Sequence, residues 1–173
     1  MPEVVILIGL QASGKTTFYH QRMATTHEHI SKDVFPNARR PQRRQMRMIE
    51  AALDAGRDVA VDNTNPSPEE WQPIIAAARA HGARVVGFWF PPDLAVSQVR
   101  NAARTGKTRV PDVGLYATLK RLRRPRLVDG FDALFAVRGD GRGGFDVRPM
   151  HEEDGCGETS SKRHNGHGSG STA

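Results

Sequence analysis

The feature that most restricts how this chain can fold is a glycine-rich turn placed directly after a buried strand. Residues 4–8, VVILI, form a continuous run rich in β-branched side chains, which is typical of a strand covered on both faces. Residues 9–16, GLQASGKT, follow at once and match the spacing G-x-x-x-x-G-K-[ST] at every fixed position. A helix is predicted from residue 14 to about residue 23. A strand, this turn and a helix in that order predict a loop that binds phosphate groups.

The residue types in this loop suit a nucleoside triphosphate. Glycines let backbone N–H groups turn toward the phosphates, and the helix N-terminus adds positive potential. Lys15 is expected to reach the outer phosphates, and the hydroxyl of Thr16 is expected to bind Mg²⁺. The sequence contains neither an Asn-Lys-x-Asp nor a Thr-Lys-x-Asp element for guanine recognition, so ATP is the expected nucleotide. The loop residues predicted to contact it are Gly9, Ala12, Ser13, Gly14, Lys15, Thr16 and Thr17.

Strands and helices alternate along most of the chain. Further strands are predicted at residues 29–30, 59–61, 85–90 and 131–137, with helices at about 41–55, 66–81, 91–103 and 112–123. This order predicts an α/β P-loop NTPase of the kinase type, with a parallel sheet flanked by helices. Residues 104–110 are predicted to form a mobile loop, and the glycine-rich stretch 139–144 to end the packed unit. We therefore expect a P-loop kinase domain over residues 1–150 and a disordered polar tail over 151–173.

Charge is distributed unevenly between these two parts. The tail holds four acidic and two basic residues, so it contributes −2 to the net charge of +6, and residues 1–150 contribute +8. A surface this basic indicates a polyanionic partner, nucleic acid first. The lone Cys156 excludes a disulfide framework, and His151, His164 and His167 are interpreted as part of a solvated tail rather than a metal site. The sequence shows neither a membrane span nor a signal peptide, which predicts a cytoplasmic protein without a membrane partner.

Two carboxylates follow predicted strands. Asp33 comes after the second strand, where acceptor groups arrive in small kinases. Asp62 ends a buried strand beside the phosphate loop, which suits an acid that touches Mg²⁺ through water or through Thr16. These positions predict an acceptor side and a metal side of one site.

An ordered series of motifs over residues 3–138 resembles the kinase domain of polynucleotide 5′-hydroxyl kinases. The series consists of Lys32-Asp33 after a short strand, residues 61–66 (VDNTNP), Arg104, Val110-Pro111, Tyr116 and Gly130-Phe131. The resemblance implies transfer of the γ-phosphate of ATP to the 5′-hydroxyl of DNA or RNA, with Mg²⁺. It implies that Asp33 is the general base and that Arg104 is a lid arginine which neutralises charge on the transferring phosphate. Lys15, Asp33 and Arg104 are then the catalytic set, and Arg100, one helical turn earlier, assists at the nucleotide.

The resemblance also implies acceptor-binding residues. Asn63, Thr64 and Asn65 match a loop that fixes the 5′ end, Lys32 stands where an arginine often precedes the base, and Arg39 fits the offset of a further arginine. Independently, helical periodicity places Arg40, Arg43, Arg44 and Arg47 on one face of the helix from Pro41, opposite Met46, Ile49 and Leu53. This arginine face is predicted to contact a phosphate backbone.

Two other functions stay open at this point. One is a kinase of a small metabolite, an antibiotic or a nucleotide sugar, as in zeta-type toxins, which needs the phosphate loop and Asp33 but no arginine face. The other is a nucleotide-gated nucleic-acid binding module without transfer chemistry. The residues do not predict an oligomeric state.

Overall fold

One six-stranded sheet organises the chain. A computed structural model describes residues 1–152 and contains the strands β1 (Glu3–Ile8), β2 (His27–Ile30), β3 (Asp58–Asp62), β4 (Arg84–Trp89), β5 (Ala133–Gly139) and β6 (Phe145–Pro149). The strands lie in the order β2-β3-β1-β4-β5-β6. The first five pair in parallel, and β6 pairs antiparallel to β5. The predicted α/β P-loop NTPase fold, a mostly parallel sheet flanked by helices, is confirmed.

Helices connect the parallel strands. They are α1 (Lys15–Arg22), α2 (Pro41–Asp54), α3 (Pro68–Ala80), α4 (Leu94–Ala102) and α5 (Asp112–Arg121), with single 3₁₀ turns at Lys32–Val34, Gly106–Thr108 and Leu127–Asp129. Proline begins α2 and α3, where its missing N–H costs nothing. Asp93 caps α4 by accepting a hydrogen bond from the Val96 N–H at 3.1 Å. No helix within residues 1–152 is long and apolar enough to cross a bilayer.

The core lies on both faces of the central strand β1. Val4, Ile6 and Ile8 face one cluster, which includes Ile49 of α2 and Trp71 of α3. Alternate residues of the same strand, such as Val5 and Leu7, face a second cluster, which contains Phe18 of α1 and borders β5 and β6. Covering both faces explains why β1 is a continuous apolar run in the sequence.

The prediction that the packed unit ends at residues 139–144 is wrong. This stretch is the turn of an antiparallel hairpin, in which Gly139 pairs with Phe145 and Phe135 with Pro149. Gly141 and Gly143 have positive φ angles of 77° and 83°, which glycine adopts at no steric cost. The Met150 side chain is buried and its N–H donates to Leu134 O at 2.9 Å, so packing reaches the end of the predicted domain. Apart from residues 151 and 152, the predicted tail with Cys156, His164 and His167 lies outside the described residues.

Candidate nucleotide and acceptor site

The phosphate loop lies at the carboxyl edge of the sheet, between β1 and α1. The Gly9 N–H donates to Thr64 O at 3.0 Å, which joins the loop to the end of β3. A Cβ on Gly9 would lie 2.8 Å from the Phe90 Cβ, so only glycine fits there. Ala12 and Gly14 have φ angles of 57° and 98°, in the left-handed region. Left-handed residues in such a turn bring successive backbone N–H groups to one concave side, which suits an anion.

Lys15 is folded into this concave loop. Its side chain is 7% exposed, and its Nζ donates to Gly9 O at 3.0 Å, to Leu10 O and to Ser13 Oγ at 3.2 Å. Burial lowers the pKa of the ammonium to about 8. The charges of Asp62 and Asp33 oppose this shift in the pKa, whereas that of Arg104 adds to it. The three ionisable residues predicted around the reaction therefore all act electrostatically on one ammonium group.

A hydroxyl and a carboxylate meet beside the loop. Thr16 Oγ1 donates to Asp62 Oδ2 at 2.6 Å, and His29 Nε2 lies 2.9 Å from the same oxygen. Burial alone would raise the pKa of Asp62, but hydrogen bonds from His29 and Thr16 and the charge of Lys15 outweigh it and hold the pKa below its usual value. Oxygen donors of this kind fit Mg²⁺, which takes one or two protein ligands and completes its shell with phosphate oxygens and water. Thr16 and Asp62 therefore suit the metal role predicted for them.

His29 was not predicted as a site residue. Its ring stacks on the ring of Tyr19, with centroids 4.3 Å apart, and its Nε2 contacts the Asp62 carboxylate. The pairing of β2 with β3 sets this arrangement, because His29 lies opposite Ala60 in the register. A sequence pattern carries no information on that register, so no local signal could have found this contact.

Asp33 lies on an exposed 3₁₀ turn after β2. Ser31 begins this turn, and its Oγ accepts a hydrogen bond from the Asp33 N–H at 3.3 Å. Asn63 fixes the turn from the end of β3, because its Oδ1 accepts from the Lys32 N–H at 2.9 Å and its Nδ2 donates to Gln45 Oε1 of α2 at 2.6 Å. Asn63 therefore ties β3, the turn that carries Asp33, and α2 together.

The expectation that Asn65 contacts the acceptor is wrong. Its side chain is 1% exposed, and Nδ2 donates to Leu7 O at 2.7 Å and to Val61 O at 3.4 Å. The φ angle of 43° turns the backbone so that the amide reaches back between β1 and β3. Asn65 is thus a structural residue that holds the two strands together at the site. The carbonyl oxygen of Thr64, one residue earlier, accepts a hydrogen bond from the Gly9 N–H of the phosphate loop.

Residues 104–110, which are predicted to act as a lid, follow α4 and begin with Arg104. The Arg104 guanidinium is exposed and donates to Thr108 O at 3.3 Å. The buried Asn101 closes the segment, because Val110 N–H donates to its Oδ1 at 2.9 Å and its Nδ2 donates to Val110 O. The loop predicted over residues 104–110 is therefore tied to α4 at its far end. Asn101 is a second residue that no sequence motif identified.

A cavity of about 490 Å³ opens between the phosphate loop, α4 and the β5–β6 hairpin. Its volume is in the range of pockets that hold small organic ligands. Phe145 forms one wall, since its ring would lie 3.1 Å from a Cβ on Gly14 and packs edge-on against Phe18 with centroids 5.3 Å apart. The cavity is lined by Ala12, Gly14, Thr17, Arg100, Arg104, Gly139, Gly141, Gly143, Gly144 and Phe145. It thus brings together five residues predicted to contact the nucleotide and adds a hairpin that was not predicted.

The predicted division of α2 into two faces agrees with the structure. Ile49 and Leu53 are buried, and Met46 packs against the core. The arginines on the other side are all exposed, namely Arg40, Arg43, Arg44 and Arg47, together with Arg39 just before the helix. The Arg44 guanidinium lies 4.9 Å from the centre of the ring of Phe35, the residue that ends the turn of Asp33. Contact of these arginines with nucleic acid stays a prediction.

Comparison with known proteins identifies the family. Residues 4–125 match the family AAA_33, described as AAA domain. Similar solved structures include a gluconokinase from Sinorhizobium meliloti 1021, which is 18% identical with a TM-score of 0.58 over 79% of this chain and 82% of that one. A fungal RNA kinase is 14% identical with a TM-score of 0.62 over 79% and 75% of the two chains. A structure of the PezAT toxin–antitoxin system of Streptococcus pneumoniae is 12% identical with a TM-score of 0.62 over 80% of this chain and 67% of that one.

These likenesses agree with the fold derived above, and the family match covers more than half of the sequence. The chain therefore belongs to the AAA domain family AAA_33, a family of P-loop kinases, and the match covers residues 4–125.

Proposed function

We propose that this protein is an ATP-dependent polynucleotide 5′-hydroxyl kinase, which transfers the γ-phosphate of ATP to the 5′ end of DNA or RNA. The observation that carries the proposal is the convergence of charges on Lys15. Asp33 comes from the turn after β2, Asp62 from the end of β3 and Arg104 from the lid, yet all three act on the same buried ammonium. A base on one side and cations on the other are what in-line phosphoryl transfer requires.

Each residue then has a defined task. The phosphates of ATP lie in the concave loop, with the Lys15 ammonium on the outer ones, and the rest of the nucleotide occupies the cavity beside Phe145 and Arg100. Asp33 takes the proton of the acceptor hydroxyl while that oxygen bonds to the γ-phosphorus and the bond to the β,γ-bridging oxygen breaks, which leaves ADP. Arg104 neutralises charge on the group in transfer. Thr16 and Asp62 would hold Mg²⁺, which when bound neutralises charge on the phosphates.

The basic surface around Asp33 supports a polymeric acceptor. Residues 1–150 carry a net charge of +8, and the exposed arginine face of α2 adjoins the turn of the base. The bond between Asn63 and Gln45 fixes α2 relative to that turn, so the arginines keep a constant position with respect to Asp33. A strand whose 5′ end reaches Asp33 would carry its next phosphates past this face, whereas a small acceptor has no use for it.

The test is a labelling experiment with matched acceptors. The protein is incubated with γ-labelled ATP and with DNA and RNA oligonucleotides that carry either a 5′-hydroxyl or a 5′-phosphate. A 3′-phosphorylated mononucleotide and a panel of sugars and small alcohols complete the set. We expect label only on 5′-hydroxyl nucleic acid, and none with the Asp33→Asn variant. Label confined to a sugar or alcohol would make the protein a small-molecule kinase. ATP-dependent binding of oligonucleotides without labelled product would make it a binding module.

A further inference from the structure

A second basic surface lies at the end of α5, and the functions assigned above do not use it. Residues 120–126, KRLRRPR, contain five bases and no acid, and we name them the arginine segment. We propose that the arginine segment binds backbone phosphates of the acceptor strand behind its 5′ end. The proposal rests on the proposed function and names a part of its acceptor site.

The arginine segment touches the edge of the sheet that carries the acceptor loop through Arg123. The Arg123 N–H donates to Pro66 O at 2.7 Å, so the segment lies against the residues that follow Asn63. Pro125 is buried and Leu122 packs against the core, which fixes the path of the backbone. The basic side chains between and beside these anchors are exposed. The segment is therefore a fixed backbone that presents cations to solvent.

One carboxylate joins the arginine segment to the turn that carries the base. Glu70 of α3 lies 3.2 Å from Lys32 Nζ through Oε2 and 3.3 Å from Arg121 Nη2 through Oε1. Because both cations contact the same acid, Arg121 lies next to Lys32, and Lys32 precedes Asp33. Glu70 thus joins the arginine segment to the residue that precedes the proposed base.

The acids on this surface do not cancel its charge. Glu69 and Glu70 face Arg121, and Asp129 accepts a hydrogen bond from the Arg126 N–H at 2.7 Å. Glu152 lines the same cavity as Arg124 and Arg126, so five bases face four acids and an excess of one positive charge remains. Guanidinium groups bind phosphate oxygens through two parallel hydrogen bonds, and this geometry suits a phosphate backbone.

The dimensions favour a polymer over a small acceptor. The chain leaves α5 in an extended conformation at Leu122, with φ −62° and ψ 126°. An extended backbone covers up to about 3.3 Å per residue, so the five steps from Arg121 to Arg126 span at most about 17 Å. A polymer can follow cations along such a path, whereas a sugar or a mononucleotide held at Asp33 has no phosphates that continue beyond the turn.

The test compares two double variants of equal charge. Arg123→Gln with Arg126→Gln removes two cations and keeps the backbone hydrogen bonds of both residues. Arg57→Gln with Arg84→Gln removes two cations at the amino ends of β3 and β4, on the opposite edge of the sheet. Binding of a 3′-fluorescein 5′-hydroxyl 20-mer, DNA in one arm and RNA in the other, is followed by anisotropy without ATP from 50 to 300 mM KCl.

The arginine segment predicts a specific change in the salt dependence. Single strands lose affinity with a slope of about −0.7 per neutralised phosphate, so the first double variant should have a slope shallower by about 1.4. Counterion release alone then predicts a loss of affinity of roughly 25-fold at 0.1 M salt. The same pair changed to Lys keeps both charges and should retain most of the slope. The KM of a 20-mer should rise far more than the KM of a 3′-phosphorylated mononucleotide.

Failure of this proposal is distinguishable from failure of the proposed function. An unaltered slope in the first double variant, equal to that of the opposite-edge pair, would overturn the role of the arginine segment even if the wild type phosphorylates the 20-mer. Binding with the expected slopes but without phosphorylation would refute the kinase function and leave the surface in place. A first double variant with a lowered thermal midpoint is replaced by Arg126→Gln alone, for which a slope change of about 0.7 supports the proposal and no change refutes it.

Discussion

The burial of Lys15 leads to a prediction about stability as well as about catalysis. Its ammonium is 7% exposed, and its pKa falls from 10.5 to about 8. One pKa unit corresponds to about 1.4 kcal/mol, so the charged lysine costs the folded state about 3 kcal/mol. The substitution Lys15→Met keeps an unbranched side chain of similar length and removes this charge.

The sign of the effect follows from the two pKa values. Below pH 8 the lysine is protonated in both the folded and the unfolded state, and the folded state bears the full cost. Between pH 8 and 10.5 the folded protein releases the proton while the unfolded chain keeps it, so the free energy of unfolding rises with pH. Relative to Lys15→Met, the wild type should therefore gain about 2.5 kcal/mol between pH 7 and 10.

Urea denaturation followed by tryptophan fluorescence measures this difference. Urea titrations of both proteins are carried out at pH 7, 8, 9 and 10. Only the difference between the two free energies of unfolding is compared, because the contributions of the other titrating groups cancel in that difference. The exposed Lys107 provides a matched control, since Lys107→Met removes a lysine that is not buried. A difference in the free energy of unfolding between the wild type and Lys15→Met that stays constant with pH would refute the argument that burial destabilises the charged ammonium.

The lowered pKa of Lys15 also predicts how the affinity for ATP responds to pH. Phosphates stabilise the ammonium, so binding between pH 8 and 10.5 should take up a proton at Lys15. Affinity for ATP should then fall by up to tenfold per pH unit above pH 8. Calorimetric titration at pH 9 in two buffers with different ionisation enthalpies measures this proton uptake. Turnover of Lys15→Met should be less than about a tenth of the wild type, since a lost phosphate contact exceeds ~1.4 kcal/mol.

Four further predictions concern other parts of the site. Asp33→Asn should lower the rate of transfer at least ~10²-fold with little change in the Kd for ATP, and an equal loss of both would make the residue structural. Asn101→Leu removes both bonds that close the lid and should lower kcat about tenfold or more, whereas an unchanged kcat would show that the lid is held by other contacts. Arg43→Gln with Arg47→Gln should raise the KM of a long oligonucleotide and flatten its salt slope without changing the KM for ATP, and similar kinetics for long and short acceptors would leave only a solvated face. Ending the chain after Met150 should preserve both the thermal midpoint and the activity, whereas ending it after residue 140 removes β6 and should lower the midpoint steeply; equal midpoints would contradict the role of β6.

Local sequence patterns predicted the parts of this molecule that local physics determines. The spacing of residues 9–16 and the apolar run before them specify a strand, a turn and a helix without reference to the rest of the chain. The alternation of strands and helices then predicts the parallel sheet. For the same reason the two faces of α2 could be read from a helical period.

Contacts that depend on strand register were out of reach. His29 meets Asp62, and Asn65 bonds to β1, only because β1, β2 and β3 pair in a particular register. A sequence does not show which asparagine of the pair Asn63 and Asn65 turns inward. Strand β6 was missed because a glycine cluster marks a turn, and whether the chain returns to the sheet depends on a partner strand rather than on the turn.

Phe145 of β6 packs against the phosphate loop, and this contact links the last strand of the fold to the proposed nucleotide site. One wall of the cavity comes from residues 9–16 and another from the hairpin at residues 139–145, so the cavity forms only after almost the whole packed unit has been synthesised. A nascent chain with an intact phosphate loop but without β6 therefore has only half of the proposed nucleotide site. Because edge strands open most readily, bound ATP should slow amide exchange in β6 more than in the central strand β1. If the nucleotide occupies this cavity, its affinity should report whether the chain has finished folding.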